Sequence, residues 1–159
     1  MLMKSKSPGE QIEQLLRDYC HALDEGQVDR WTGFFLDDAV YQITTRENIA
    51  ANYPLGIINC QGRGMMEDRI KALQTANIFE SHTYCHVTGP LDVREEFEGR
   101  HTVRSNFVVY RTMYTGQAEL FASGKYLDVV DTSSGAALFA ERIVVIDSRC
   151  IDTLLVYPL

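Results

Sequence analysis

The stretch of sequence that decides the fold is Thr102-Val-Arg-Ser-Asn-Phe-Val-Val-Tyr-Arg-Thr-Met-Tyr-Thr115. Apolar and polar side chains alternate along it, and such alternation is typical of a β-strand with one buried face. A strand of this length spans roughly 46 Å at ~3.3 Å per residue, whereas a domain of this size has a radius of gyration of only about 15 Å. Because so long a strand cannot stay flat in so small a body, the sheet that contains it must curl.

Further strands are predicted on both sides of this stretch. Segments rich in β-branched and aromatic side chains recur at residues 40–44, 57–58, 119–130 and 138–146. A change to strand periodicity begins at about His82. Turn sequences that predict hairpins lie at residues 95–99, 114–117 and 131–135. Gly124, inside one of the strand patterns, predicts a bulge or a bend.

The N-terminal half of the chain predicts helices. Ser7 and Glu10 form a predicted capping box around Pro8. Apolar residues then recur at helical spacing as far as Leu23, and Gly26 provides a stop. Two further helices are predicted, one at residues 29–38 that carries Trp31, Phe34 and Phe35, and one that follows Gly64. The pattern of residues 48–56 leaves their structure undecided.

Helices followed by a long curled antiparallel sheet predict an α+β half-barrel, which is a cone whose open side the helices cover. This arrangement resembles the cystatin-like, nuclear-transport-factor-like superfamily. The sequence contains no internal repeat, linker or low-complexity segment. We therefore expect a single domain over residues 1–159.

The composition argues against several kinds of partner. The net charge is −7 and the basic residues are scattered, whereas a nucleic-acid-binding surface needs a basic stripe. No apolar run approaches the ~20 residues of a membrane span, and the N-terminus lacks the apolar centre of a secretory signal. The 4 cysteines stand far apart, which favours reduced thiols over a zinc site or disulfides. A cytoplasmic protein with neither nucleic acid nor membrane as partner is expected.

Several short motifs follow one another in a fixed order along the chain. They are Tyr41-Gln-Ile-Thr-Thr-Arg-Glu-Asn48, Tyr53-Pro-Leu-Gly-Ile-Ile58, Met65-Met-Glu-Asp-Arg-Ile70, residues 76–80, Tyr84-Cys-His86, residues 121–126 and residues 156–159. In this order and spacing, the chain resembles the small (beta) subunit of aromatic-ring-hydroxylating dioxygenases. The resemblance is greatest to the group that acts on aromatic acids such as salicylate, anthranilate or terephthalate. It spans most of the chain.

The resemblance implies a structural subunit without an active site of its own. In this family a homotrimer of small subunits packs beneath a trimer of large subunits, which gives a three-plus-three hexamer. The large (alpha) subunit holds a Rieske [2Fe–2S] cluster and a mononuclear Fe(II), and electrons come from NADH through separate reductase components. The resemblance therefore implies a large-subunit partner and no cofactor in this chain.

The histidines and cysteines do not form the clusters that these iron centres need. A Rieske centre needs two cysteines and two histidines, and a mononuclear site of this class needs two histidines and a carboxylate. Cysteine and histidine are directly adjacent at Cys20-His21 and at Cys85-His86, so their side chains should diverge. On the predicted strand, His82 and His86 are roughly 13 Å apart. We predict no metal site.

An alternative interpretation is a stand-alone cavity enzyme of the same fold, a dehydratase or isomerase that uses an Asp–His pair. The residues that could converge inside the cone are Asp24, Tyr41, His86 and Tyr126. Together they could abstract a proton next to a carbonyl group. Each also has a structural explanation, since tyrosines in strands pack their rings and helices commonly end in polar residues. A binding module without chemistry is a third possibility, for which the sequence has no motif.

Two charged motifs are candidates for contacts between subunits. Arg46 and Glu47 lie in one resemblance motif, and Asp68 and Arg69 lie in another. An arginine can hold a carboxylate across a subunit boundary with two hydrogen bonds. A solvated pair on a free surface would contribute little to stability. Because the resemblance concentrates at these motifs, we predict that the four residues belong to a subunit interface.

Overall fold

The computed structural model describes residues 5–54, 56–76, 81–148 and 157–159. Its elements are α1 (Pro8–Asp24), a 3₁₀ helix (Val28–Phe34), β1 (Phe35–Thr45), α2 (Arg46–Ala50), β2 (Ile58–Gln61), α3 (Arg63–Ala76), β3 (His82–Thr88), β4 (Asp92–Phe97), β5 (Arg100–Met113), β6 (Ala118–Asp131) and β7 (Leu138–Ile146). The strands form one curled sheet, α1 packs against β3, and α3 packs against β1 and β2. The predicted α+β half-barrel is confirmed. Residues 55, 77–80 and 156, which belong to three of the resemblance motifs, and Cys150 lie outside the described residues.

Side-chain caps fix the starts of α1 and α2. In the predicted capping box, Ser7 Oγ accepts a hydrogen bond from the Glu10 main-chain N–H at 3.3 Å, and the Glu10 carboxylate accepts one from the Ser7 N–H at 2.7 Å. At the start of α2, Thr45 Oγ1 accepts from the Asn48 N–H at 3.2 Å. The apolar stripe of α1 lies in the core, with Ile12, Leu15, Leu16, Tyr19, Cys20 and Leu23 buried.

The sheet is mixed, which corrects the prediction of an antiparallel sheet. The strand order is β2-β1-β7-β6-β5-β3, and β4 pairs with the first half of β5. All of these pairs are antiparallel except β1 and β7, which run parallel. Parallel neighbours need a long crossover connection. The chain between β1 and β7 supplies it, because α2, α3 and the strands β2 to β6 lie between them.

The second predicted helix is shorter than expected, and the reason lies in the sheet. The 3₁₀ helix ends at Phe34, and Phe35 begins β1, so that Asp37 and Asp38 lie within a strand. Phe35 pairs with Phe139 of β7 in the parallel ladder, and its ring is fully buried. Pairing with β7 therefore extends β1 toward the N-terminus of the chain at the expense of the helix.

A β-bulge accompanies the curl of the two longest strands. Opposite Val109 and Tyr110 of β5, β6 places Ala122 and Leu120, so Phe121 is an extra residue. A bulge bends its strand and increases the local twist. The Phe121 ring packs against the core.

Gly124 has a different role from the predicted bulge. It continues the regular register, opposite Phe107 of β5 and Ile146 of β7. A Cβ atom at this position would overlap the main-chain carbonyl oxygen of Val145. Glycine is therefore required because two backbones approach each other closely.

Candidate functional site

The structure brings Asp24 and His86 together. Asp24 is the last residue of α1, and His86 lies on β3 at the edge of the sheet. Asp24 Oδ1 lies 2.6 Å from His86 Nδ1, and the two carboxylate oxygens also accept from the His86 main-chain N–H at 3.1 and 3.0 Å. The carboxylate thus satisfies an edge-strand donor that no neighbouring strand pairs. This contact joins the end of α1 to β3.

The burial of His86 limits what the pair can do chemically. The imidazole side chain is 0% exposed, and its Nε2 has no hydrogen-bond partner among the residues that the structure describes. A general base must reach the proton that it removes, directly or through one water. In the intact fold the pair has the geometry of an Asp–His dyad but not the access, so it acts as a clamp between α1 and β3.

We expect Asp24→Ala to lower the free energy of unfolding by about 1–3 kcal/mol, because the variant leaves the His86 N–H and ring nitrogen without their acceptor. Urea denaturation of the purified chain measures the change. Glu13→Ala is the matched control, since Glu13 is exposed on the same helix. Equal effects of the two substitutions would contradict the clamp.

The two tyrosines of the predicted site are engaged elsewhere in the core. Tyr41 exchanges hydrogen bonds with the main chain of Leu159, at 3.2 Å to the oxygen and 3.0 Å from the nitrogen. Tyr126 stacks on Phe107 with 4.3 Å between ring centroids. Neither makes a described hydrogen bond to Asp24 or His86, so of the four predicted residues only Asp24 and His86 are joined by a described hydrogen bond.

A buried ion pair that the sequence analysis missed lies inside the half-barrel. Asp128 and Arg142 face each other on β6 and β7, and Arg142 Nη1 donates to Asp128 Oδ2 at 3.1 Å. Both side chains are 0% exposed, and the guanidinium lies 3.6 Å from the centroid of the Tyr126 ring. Burial raises the pKa of Asp128 to about 7, and the neighbouring guanidinium opposes this rise. The guanidinium of Arg142 thus lies between the carboxyl group of Asp128 and the ring of Tyr126, which it contacts as a cation on an aromatic face.

The residues predicted for a subunit interface lie on α2 and α3. Arg46 is 66% exposed and forms an ion pair within its own chain, with Nη2 2.7 Å from Asp147 Oδ1. Glu47 is half-buried beside it, Asp68 is exposed and Arg69 is half-buried. Arg46 and Asp68 are thus the exposed members of the two motifs.

Neither a group of metal ligands nor a helix that could span a membrane is found in the described part of the chain. Among residues 5–54, 56–76, 81–148 and 157–159, histidine, cysteine and carboxylate side chains form no group of three placed to hold a metal ion. His82 and His86 lie on β3, as the sequence predicts. No helix within these ranges is long and apolar enough to cross a membrane.

Comparison with known proteins identifies first the type of domain and then the family. Residues 9–146 match the family model of the SnoaL-like domain. The chain is 36% identical over 150 residues to the anthranilate 1,2-dioxygenase small subunit of Burkholderia cepacia, with 94% of this chain and 92% of that protein covered. It is 37% identical over 149 residues to the terephthalate 1,2-dioxygenase terminal oxygenase component subunit beta 1 of Comamonas sp, with 94% and 97% covered. The chain therefore belongs to the family of small, or beta, subunits of aromatic-ring dioxygenases, which confirms the resemblance.

A solved structure supports the same fold. The beta subunit of the benzoate 1,2-dioxygenase from Burkholderia mallei superimposes with a TM-score of 0.75 at 21% sequence identity. The match covers 98% of this chain and 100% of that one. The half-barrel is thus shared along the whole length of a dioxygenase beta subunit.

Proposed function

We propose that the chain is a structural small subunit of the terminal oxygenase of a Rieske-type dioxygenase, and that it braces the large subunits that hold the iron. The observation that carries the proposal is the identity of 36–37%, along nearly the full length of both chains, to small subunits of anthranilate and terephthalate dioxygenases. The names of these relatives favour an aromatic acid as the substrate of the complex. Selection of that substrate belongs to the pocket of the large subunit.

The proposed assembly is a homotrimer of this chain bound to three large subunits in the cytoplasm. The Rieske [2Fe–2S] cluster and the mononuclear Fe(II) then belong to the large subunit, and NADH supplies electrons through reductase components. The lack of a metal-binding group in the described residues is compatible with this division of labour.

The surface has exposed apolar side chains that could contact other small subunits or the large subunits. Large apolar side chains are exposed at Ile49, Tyr53, Ile57 and Met65, and on the outer face of the sheet at Val87, Tyr110 and Leu120. Apolar side chains that stand exposed together commonly mark an interaction surface. Arg46, Glu47, Asp68 and Arg69 lie on the helices next to the first group, and we assign them to a subunit interface.

The second candidate function is catalysis by Asp24 and His86. The 2.6 Å contact between their side chains favours it, because a carboxylate fixes an imidazole in this way in many acid–base sites. The complete burial of the His86 side chain argues against it. A structural contact between α1 and β3 explains both the short distance and the burial of the His86 side chain.

Co-expression with the large subunit tests the proposal. We expect a brown complex with the mass of three small and three large chains by light scattering, with each small chain contributing 18.1 kDa. Asp68→Arg should reduce the yield of the complex, because it reverses a charge at the assigned interface. Glu95→Arg is the control, since Glu95 is exposed on β4, outside both assigned motifs.

Three results would contradict the proposal in whole or in part. A colourless monomer that does not bind the large subunit would overturn the structural role. Turnover of a small molecule by the isolated chain, abolished by Asp24→Asn, would favour the cavity enzyme. Equal loss of complex in the Asp68→Arg and Glu95→Arg variants would remove Asp68 from the interface and leave the assembly itself standing.

A further inference from the structure

The outer face of the sheet, which lies opposite the core, carries apolar side chains along its central strands. Val108 of β5, Leu127 and Val129 of β6 and Ile143 of β7 alternate with buried core residues and are half-buried on this face. A sheet face that meets only water usually carries polar side chains. Because apolar side chains occupy both faces here, the outer face is suited to contact with another protein chain.

An open cavity of about 420 Å³ lies on this face, and β4 forms one of its walls with Asp92, Arg94 and Glu96. Arg94 Nη2 donates to Asp92 Oδ2 at 3.3 Å. The Glu96 carboxylate accepts a hydrogen bond from the Thr102 hydroxyl at 3.1 Å. The charged side chains of this wall are therefore paired within the chain.

Arg104 of β5 and Glu141 of β7 line the same cavity from opposite sides of β6. Arg104 pairs in register with Leu127, and Glu141 pairs with Val129. Their Cα atoms are thus two strand spacings and two residues apart, roughly 12 Å. Within the part of the chain that the structure describes, neither forms an ion pair or a side-chain hydrogen bond. The cavity therefore presents an unpaired cation and an unpaired anion on the two sides of an apolar strip.

Two opposite charges beside one apolar strip make this face complementary to a second copy of itself. In a closed ring of three copies, each Arg104 contacts the Glu141 of the next copy, so that every one of these charges is paired. An arginine–carboxylate contact also fixes the orientation of the two faces. The net charge of −7 makes unspecific contacts between copies unfavourable, so self-association depends on such a local match.

We propose that Arg104, Leu127, Val129 and Glu141, here called the outer-face patch, form the contact between copies of this chain, with Arg104 of one copy bound to Glu141 of the next. This inference rests on the proposed function for the homotrimer itself, and it names the surface that builds the trimer. The charged motifs of α2 and α3 lie outside the patch and are left for the large subunit.

Glu141→Arg in the full-length chain tests the outer-face patch. The variant places like charges opposite each other at every contact between copies, which costs association energy. Light scattering of the isolated wild-type chain should give the mass of three 18.1 kDa chains at micromolar concentrations. For the variant, the protein concentration at which half of the trimer dissociates should rise by about tenfold or more.

Two further variants make the result specific. Glu95→Arg introduces the same change of charge on β4, where Glu95 is exposed and does not line the cavity, and it should keep the wild-type mass. Arg104→Glu alone should weaken the trimer as Glu141→Arg does. The double variant Arg104→Glu with Glu141→Arg exchanges the two charges and should restore the trimer, because each pair re-forms with reversed polarity. A loss of folding in a single variant cannot produce this recovery.

Four outcomes would overturn the inference. They are a wild-type chain that is monomeric in isolation, single variants that dissociate no more readily than the wild type, equal dissociation of the Glu95→Arg variant, and a double variant no better than the single ones. A Glu141→Arg trimer that stays intact but no longer binds the large subunit would assign the patch to that subunit instead. All of these leave the proposed function standing, since that proposal fails only if the wild-type chain forms no complex with the large subunit.

Discussion

Replacement of Gly124 by alanine is expected to destabilise the chain by about 3 kcal/mol or more, which is a large part of the roughly 5–15 kcal/mol by which folded proteins are usually stable. The new Cβ would overlap the carbonyl oxygen of Val145, which is main chain and cannot rotate away. Relief requires β6 and β7 to move apart at the point where Gly124 pairs with Ile146. These strands are in the centre of the sheet, so the movement would break ladder hydrogen bonds on both sides.

Urea denaturation followed by circular dichroism measures this effect, and Gly64→Ala is the matched control. Nothing lies within 4 Å of a Cβ placed at Gly64, which sits in the first turn of α3. Alanine there should leave stability unchanged or raise it by up to about 1 kcal/mol, since alanine is the better helix former. A Gly124→Ala variant as stable as the Gly64→Ala variant would show that the two backbones are not in close contact.

The parts of the fold that the sequence predicted are those set by local chemistry. The capping box of Ser7 and Glu10 fixes the start of α1, and the alternation in residues 102–115 fixes a long strand that must curl. The parallel pairing of β1 with β7 depends on residues about a hundred positions apart, and no local pattern encodes it. The same pairing moved Phe35 from the predicted helix into β1. Local periodicity could not anticipate that, since Phe35 suits the buried face of a helix as well as that of a strand.

In the candidate site, too, some features could be predicted from the sequence and others depend on packing. Asp24 and His86 could be named because one ends a helix and the other lies on a strand inside the fold. The burial of the His86 side chain, which decides between catalysis and a clamp, depends on packing that the sequence does not display. Asp128 gave a signal that was overlooked, because it shares the inward phase of β6 with Tyr126 and Val130. Leu159 belongs to one of the resemblance motifs, but a single leucine beyond β7 has no periodicity that would place it in the core.

At about pH 8, where Asp128 is ionised, we expect Asp128→Ala to lower the free energy of unfolding by about 3–5 kcal/mol, because it leaves the buried guanidinium of Arg142 without a counter-charge. The rings of Tyr126 and Tyr19 lie 3.6 and 4.2 Å from that guanidinium and offset only part of the loss. Urea denaturation measures the change. The double variant Asp128→Leu with Arg142→Met should recover most of the stability, since it removes both charges and keeps the volume. A double variant no more stable than Asp128→Ala would show that the charge itself is not the cause.

The pH dependence of the free energy of unfolding reports on the protonation of the Asp128 carboxyl group. Burial raises the pKa of Asp128 to about 7, compared with about 3.9 in an unfolded chain, so the folded state binds the proton more tightly. The contribution of this carboxyl to the free energy of unfolding should therefore decrease as the pH rises from about 4 to about 7. Asp128→Asn removes the titration, so the stability of the wild type minus that of the variant should fall across this window. A difference that stays constant would mean that Arg142 keeps Asp128 ionised throughout, and the ion pair would then be fully charged at every pH at which the protein is folded.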